Sequence, residues 1–284
     1  MNGSVTVTDT PSGDLHAPSR TAERLRAVRR EGRPALVGYL PVGFPDVDGA
    51  VAAARTMVDA GVDVIELGLP YSDPVMDGAV IQRAVEHALR GGVRVRDTFA
   101  TVEAVASTGV PVLVMTYWNP VVRYGIAPFA RDLAAAGGAG LITADLIPDE
   151  AGDWLTASDE HALDRVFLVA PSSTPERLAL TAQATRGFVY AASTMGVTGT
   201  RATVGAHAER LVADTRRAGA EHVCVGLGVS TRDQAAEVGA YADGVIVGSA
   251  FVRALAEADD QQAGLHALHR VVEDLAEGVR EVRR

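Results

Sequence analysis

Lysine is absent from this chain of 284 residues, and all 26 of its basic side chains are arginine. Without lysine, the protein cannot form a lysine Schiff base with a carbonyl substrate, and it has no lysine for a Walker-type phosphate loop. Cys224 is the single cysteine, which excludes an internal disulfide and is typical of a reducing cytoplasm. These absences remove several common ways of activating a substrate.

Long apolar runs and blocks of positive charge are missing as well. No apolar run reaches the roughly 18 residues that indicate a membrane span. The formal charge of -10 and the pI of about 5.2 argue against nucleic acid or an anionic membrane as a partner. Residues 1–19 are rich in Ser, Thr, Pro, Gly and Asp, so we expect a disordered N-terminal tail rather than a targeting peptide. The expected location is cytoplasmic.

Motifs that bind metal ions are also missing. The seven histidines are scattered, without an HxH or HExxH pattern. His266 and His269 share one face of a predicted helix, and a solvated face is a simpler interpretation of this pair than a metal site. We therefore expect no metal in this protein.

Short β-rich segments alternate with helical segments along the chain. Most strand candidates are continuous apolar runs, which is typical of parallel strands covered on both faces. The eight candidates are Ala35–Leu40, Asp63–Leu67, Val110–Met115, Gly140–Thr143, Arg165–Val169, Gly187–Ala191, His222–Gly226 and Asp243–Val247. Eight such units predict an α/β fold, a closed (β/α)8 TIM barrel that forms one domain over residues 20–284, with a doubly wound sheet as the alternative.

The helical candidates are rich in Ala, Arg and Glu, and several end at a glycine. An extra N-terminal helix is predicted at Thr21–Glu31, before the first strand, and a final helix at Gln261–Val282. The others are Asp48–Ala60, Asp97–Ser107, Ile126–Ala136, Pro175–Ala184, Ala206–Ala218, Arg232–Val238 and Ala250–Leu255.

Two carboxylates lie where a barrel of this kind has its active site, at the carboxyl end of a strand and in the loop that follows. Glu66 lies inside an apolar strand candidate, and Asp77 follows eleven residues later in a loop that contains three prolines or glycines within "LPYSDPVMDG". A carboxylate in an apolar strand needs a partner or has a raised pKa. A salt bridge to an arginine is the alternative, but no basic residue lies near Glu66 in the sequence. The pair therefore indicates acid/base chemistry.

Glycines at the ends of the last three strand candidates indicate a phosphate site. The relevant stretches are "ASTMGVTG", "VGLG" and "VGS", which contain Gly199, Gly228, Gly248 and Ser249. Backbone N–H groups, a hydroxyl and a helix N-terminus can together hold an anion there. Residues 193–205 form either a lid or an ordinary surface loop. Tyr190, Tyr117 and Trp118 belong either to a pocket or to the packing of the barrel.

The motifs "ELGLPYSDPVMDG", "TYWNPVVRYG", "STMGVTGTR", "VGLGVST" and "VIVGSAFV", in this order, resemble the tryptophan synthase alpha chain family over about residues 20–280. The resemblance implies the alpha subunit of tryptophan synthase, which cleaves indole-3-glycerol phosphate to indole and glyceraldehyde 3-phosphate in tryptophan biosynthesis. It implies no cofactor, and it implies a tryptophan synthase beta chain as partner in an alpha2beta2 tetramer. The alternatives are a stand-alone lyase that releases free indole, a non-catalytic scaffold, and a phosphosugar isomerase or epimerase.

The resemblance also implies roles for individual residues. Glu66 and Asp77 match the catalytic pair, Tyr190 matches a tyrosine that supports the glutamate, and Thr198 matches a lid threonine that meets the aspartate loop on closure. The matches to the phosphate site are Gly199, Gly228, Gly248 and Ser249. The matches to the indole pocket are Ile142, Val169 and Leu227. The matches to the beta-facing surface are Asp73, Pro74, Asn119 and Pro148.

The residue inventory is compatible with this reaction. Cleavage of an aldol-type bond needs an electron sink, and indole can serve as its own sink when its C3 atom is protonated. One acid/base group near C3 and one carboxylate near the ring N–H are then sufficient, with no metal or lysine. The chain departs from the family pattern at Ala79, where proline is usual after Asp-Gly, and at Thr194, where some members have arginine.

Overall fold

The computed structural model describes residues 18–192 and 201–282. Within these ranges, eight parallel strands pair in the order of the sequence and close into a barrel. The strands are β1 (Ala35–Pro41), β2 (Val64–Gly68), β3 (Val112–Thr116), β4 (Gly140–Thr143), β5 (Asp164–Val169), β6 (Val189–Ala192), β7 (Val223–Gly226) and β8 (Gly244–Val247). Pairing of β1 with both β2 and β8 closes the sheet. The barrel prediction is confirmed, and the doubly wound alternative is wrong.

Twelve α-helices lie in the described ranges and surround the barrel. They are α1 (Arg20–Arg30), α2 (Val47–Asp59), α3 (Ala79–Arg90), α4 (Val95–Ala106), α5 (Trp118–Tyr124), α6 (Ile126–Ala135), α7 (Gly152–Glu160), α8 (Pro175–Ala184), α9 (Arg201–Arg217), α10 (Arg232–Gly239), α11 (Ser249–Ala256) and α12 (Gln261–Glu281). No helix of the described residues is both long and apolar enough to cross a membrane.

Three helices of the structure, α3, α5 and α7, are not predicted from the sequence. None of them has a side-chain hydrogen bond at its N-cap, where the residues are Gly78, Tyr117 and Ala151. By contrast, Asp46 and Thr174 cap the predicted helices α2 and α8 through their side chains. A missing cap removes one start signal from the sequence, but α6 and α11 also begin without a capping side chain and are predicted, so it does not by itself explain the omission.

The buried apolar side chains form two clusters. The larger one lies between the strands and the outer helices and includes Met57, Trp154 and Phe251. The smaller one fills the barrel interior, with Leu25 and Val28 of α1 packed at its amino-terminal end. Because successive side chains of a strand point to opposite faces, the strands supply residues to both clusters. The extra N-terminal helix therefore covers the end of the barrel opposite the strand carboxyl ends.

Ion pairs at the amino-terminal end of the barrel connect α1 to the strands. The Asp63 carboxylate, only 1% exposed, accepts hydrogen bonds from Arg24 Nη2 at 2.6 Å, from Arg33 Nη1 at 2.7 Å and from the Leu36 backbone N–H at 2.9 Å. Removal of one member of a buried pair leaves an uncompensated charge.

We predict that Asp63→Asn lowers the free energy of unfolding by about 3 kcal/mol, because two guanidinium groups lose their common carboxylate. Urea unfolding of the two proteins measures this difference. The control is Glu86→Gln, which removes the exposed pair with Arg90 and is expected to cost less than about 1 kcal/mol. Equal effects of the two substitutions would contradict this assignment.

Candidate active site

A cavity of about 380 Å³ opens at the carboxyl ends of the strands. Its lining comes from seven strands, all except β4, and from the β2–α3 loop and the start of α3 and α11. The lining residues are Tyr39, Glu66, Val75, Met76, Asp77, Gly78, Ile81, Met115, Leu168, Tyr190, Ala192, Gly226, Gly228, Ile246, Gly248 and Ser249. The cavity combines apolar side chains, two carboxyl groups and glycine-rich backbone.

Glu66 lies in the middle of β2, and strand pairing places it beside Tyr39 of β1 and Leu113 of β3. Its side chain is fully buried, and neither carboxylate oxygen has a hydrogen-bond partner among the described residues. Burial disfavours the charged form and raises the pKa of Glu66 to about 8. The described residues contain no ion pair to Glu66, so the salt-bridge alternative is wrong within that part of the chain. Glu66 therefore holds its proton at neutral pH.

Asp77 lies in the loop between β2 and α3, one residue before the α3 N-cap Gly78. Burial raises the pKa of Asp77, and a hydrogen bond from the Tyr117 hydroxyl opposes this shift. The Gln82 side chain donates a hydrogen bond to the Asp77 backbone oxygen at 2.8 Å. The two carboxyl groups thus face one cavity from different environments, since only Asp77 has a donor near its charge.

Two tyrosines flank Glu66 inside the barrel. Burial, and next to it the nearby charge of Glu66, raise the pKa of Tyr190 well above its usual value. Burial also raises the pKa of Tyr39, and there the charge of Asp77 has a larger effect than that of Glu66. A Cβ atom on Gly68 would lie 2.3 Å from the Tyr39 hydroxyl, and one on Gly226 would lie 2.4 Å from the Tyr190 hydroxyl. Glycine is needed at both strand ends because the aromatic rings lie against their backbone.

The glycine-rich side of the cavity contains Gly228, Gly248 and Ser249. Gly228 has a φ of +69°, in the left-handed region that favours glycine, and Gly248 is the N-cap of α11. Backbone N–H groups at the start of α11 have no side-chain cap and are available to an anion. Thr198 and Gly199 lie outside the described residues.

The three residues expected in an indole pocket do not line this cavity. Ile142 belongs to the interior cluster, on which Met115 and Leu168 pack. Val169 and Leu227 contribute to the outer cluster or pack against it. Leu168 lines the cavity, and its neighbour Val169 points to the other face because side chains alternate along a strand. Met115, Leu168 and Ile246 supply the apolar lining instead.

The residues expected to face a partner follow the carboxyl ends of β2, β3 and β4, in the β2–α3 loop, the first turn of α5 and the segment after β4. Asp73 and Asn119 are exposed, whereas Pro74 and Pro148 are half-buried. Apolar side chains are exposed beside them, with Val75 at 85%, Met76 at 49% and Ile147 at 39%. Exposed apolar residues grouped at one end of a monomer are typical of an interaction surface.

The fold and the position of the cavity define the class of this protein: a (β/α)8-barrel enzyme with its site at the carboxyl ends of the strands. The sequence model of the tryptophan synthase alpha chain family matches residues 25–280. The chain therefore belongs to the tryptophan synthase alpha chain family.

Individual relatives agree with this assignment. The tryptophan synthase alpha chain of Mycobacterium avium is 60% identical over 263 residues, covering 93% of this chain and 95% of that relative. The alpha chain of Bifidobacterium longum is 54% identical over 99% of both chains. A structure of Mycobacterium tuberculosis tryptophan synthase superposes with a TM-score of 0.86 at 59% identity, over 93% of this chain and 99% of that one. The alpha subunit of tryptophan synthase from Legionella pneumophila superposes with a TM-score of 0.85 at 30% identity, over 93% of this chain and 100% of that one.

The raised pKa of Glu66 makes a prediction for stability. The folded chain keeps the Glu66 proton up to about pH 8, whereas an unfolded chain releases it near the ordinary value of 4.5. Between these values the folded state binds the extra proton, so the contribution of Glu66 to stability falls as the pH rises. At pH 7 the neutral variant Glu66→Gln is therefore expected to be more stable than the parent by about 3 kcal/mol.

Urea unfolding at pH 5 and pH 7 measures this difference. At pH 5 the two proteins are expected to differ by less than about 1 kcal/mol. The control Glu160→Gln alters an exposed carboxylate on α7 and is expected to leave the pH dependence unchanged. A Glu66→Gln protein that is less stable than the parent at both pH values would show that Glu66 is charged in the folded state.

Proposed function

We propose that this cavity cleaves indole-3-glycerol phosphate into indole and glyceraldehyde 3-phosphate, with Glu66 and Asp77 as the catalytic pair. As a member of its family, the chain is a carbon–carbon lyase of tryptophan biosynthesis. The observation that carries the assignment of roles is the buried Glu66 carboxyl, which has no partner among the described residues and faces the loop carboxylate of Asp77 across one cavity. Glu66 holds its proton at neutral pH, whereas a hydrogen bond with Tyr117 opposes the effect of burial on the pKa of Asp77.

The reaction uses these two groups in sequence. The Glu66 carboxylic acid donates its proton to C3 of the indole ring, which produces an indolenine cation. The Asp77 carboxylate accepts a hydrogen bond from the ring N–H and stabilises the positive charge. The Glu66 carboxylate then takes the proton of the C3′ hydroxyl while the C3–C3′ bond breaks. The electron pair of that bond returns to the ring, indole and the aldehyde leave, and Glu66 regains its proton.

The remaining lining suits the two ends of the substrate. Gly228, Gly248 and Ser249 offer backbone and hydroxyl groups to the phosphate, and we assign Gly199 and Thr198 to the same site and its lid from the family pattern. Met115, Leu168 and Ile246 are apolar and would lie beside the indole ring. Tyr190 would support Glu66 through its position beside it in the barrel interior.

The partner is a tryptophan synthase beta chain. We assign this contact to the surface formed by the exposed residues Asp73 and Asn119, with Pro74, Pro148 and the apolar side chain of Val75. An alpha2beta2 assembly in the cytoplasm, with residues 20–284 as one domain, is part of the proposal. A stand-alone lyase is not favoured, because the relatives are alpha chains of tryptophan synthase.

We predict that Glu66→Gln and Asp77→Asn each lower the rate of indole release from indole-3-glycerol phosphate by about 100- to 10,000-fold, in the presence of a cognate beta chain. Glu86→Gln on the outer face of α3 serves as the control and is expected to retain parental activity. Both catalytic variants keep the size of the side chain, so circular dichroism is expected to show an unchanged fold.

Each rival function has its own outcome in this assay. A non-catalytic scaffold would release no indole, and the two substitutions would leave its effect on the beta chain unchanged. A phosphosugar isomerase or epimerase would turn over ribulose phosphate and not indole-3-glycerol phosphate. Indole release at the parental rate by Glu66→Gln would contradict the role of that residue.

A further inference from the structure

Tyr117 follows β3 directly and is the N-cap residue of α5. Its side chain is 5% exposed, and its hydroxyl contacts the β2–α3 loop. The Met76 backbone N–H donates to this hydroxyl at 2.8 Å, Asp77 and Tyr117 line the same small cavity, and a hydrogen bond with Tyr117 opposes the rise in the pKa of Asp77 that burial causes. One side chain from a rigid strand end therefore binds both the backbone and the carboxylate of a loop.

The β2–α3 loop has few other attachments near Asp77. Val75 and Met76 are exposed, and a Cβ atom on Gly78 would meet nothing within 4 Å. The hydrogen bond from Gln82 is made to the Asp77 backbone oxygen and leaves the carboxylate free to rotate. Among the described residues, Tyr117 is the side chain whose hydrogen bond opposes the rise in the pKa of Asp77.

The Tyr117 ring is itself supported from the partner-facing side. The ring centroids of Tyr117 and Tyr71 are 5.3 Å apart, and the Asn119 side-chain amide donates a hydrogen bond to the Tyr71 hydroxyl at 3.2 Å. Both Tyr71 and Tyr117 lie against a small cavity that Asp77 also lines. The support of Tyr117 is therefore continuous with the loop that we assign to the beta chain.

We propose that Tyr117 is a positioning residue that holds the Asp77 carboxylate toward the ring N–H of the substrate. The proposal rests on the proposed role of Asp77. A tyrosine that only packed against the loop would not need the hydroxyl, whereas a positioning residue acts through it. Tyr117→Phe keeps the ring and removes both hydrogen bonds of the hydroxyl.

The same substitution changes the ionisation of Asp77. The ionisable groups that face this region are Tyr39 on β1, Glu66 on β2, Tyr190 on β6 and Asp145 after β4, and none of them is a cation. Loss of the Tyr117 hydrogen bond therefore raises the pKa of Asp77 further, because the bond favours the charged form. Catalysis needs charged Asp77 and protonated Glu66, so only the acidic limb of the pH profile is expected to move.

The experiment measures kcat and KM for indole release between pH 5 and pH 9 in the complex with a beta chain. For Tyr117→Phe, we expect kcat/KM to fall about 10- to 100-fold at pH 7, as for the loss of a hydrogen bond to a charged group. The acidic limb is expected to shift to higher pH while the basic limb stays in place. The control is Tyr124→Phe, which removes a hydroxyl that is hydrogen-bonded to Asp132 on the outer surface. This variant is expected to keep the parental kcat/KM and the parental acidic limb.

Parallel measurement of Asp77→Asn separates this proposal from the one on which it rests. If Asp77→Asn is inactive and Tyr117→Phe retains the parental kcat/KM and acidic limb, Tyr117 is not a positioning residue. If Asp77→Asn is active, the role of Asp77 itself is wrong. A loss in Tyr117→Phe that leaves both limbs in place, together with a lower midpoint of thermal unfolding, would show a structural role and overturn the proposal.

Discussion

Burial of the Glu66 carboxyl, with no hydrogen-bond partner among the described residues, is the constraint on which the site depends. A carboxylate in this position loses the stabilisation of water and gains nothing in return, so the group keeps its proton well above the usual pH range of glutamic acid. At pH values above the ordinary pKa of glutamic acid, such a group lowers the free energy of unfolding. The barrel tolerates it because β2 lies between two hydrogen-bonded neighbours and cannot move the side chain toward solvent.

The two carboxyl groups have different roles because their surroundings favour different protonation states. Glu66 lies on a strand between apolar side chains and tyrosine rings, where the neutral acid is favoured. Asp77 lies on a loop with a tyrosine hydroxyl as donor, where the charged form is better supported. Pairs of carboxyl groups whose environments separate their pKa values are a common solution for combined acid and electrostatic catalysis at neutral pH. Because the indole ring itself can serve as the electron sink, the two carboxyl groups can act without the lysine that the chain lacks.

Much of this arrangement is predictable from the sequence, and the failures have physical causes. Continuous apolar runs identify all eight strands, and the carboxylate within one of them identifies Glu66. The helices α3, α5 and α7 are missed, and the lack of a capping side chain does not by itself explain this, because α6 and α11 also begin without one. Leu168 lines the cavity and Val169 belongs to the outer cluster, and the sequence alone does not decide which of two adjacent strand residues points inward. The hydroxyl contacts of Tyr117 join segments about forty residues apart, which no local pattern encodes.

The protonation state of Glu66 is the central claim, and infrared difference spectroscopy measures it directly. A protonated carboxyl has a C=O stretch that is well separated from carboxylate bands, and subtraction of the Glu66→Gln spectrum isolates the contribution of this residue. The account predicts that the protonated band is present at pH 7 and disappears with a midpoint near pH 8. A carboxylate band at pH 7, with a midpoint near the ordinary value of 4.5, would contradict it.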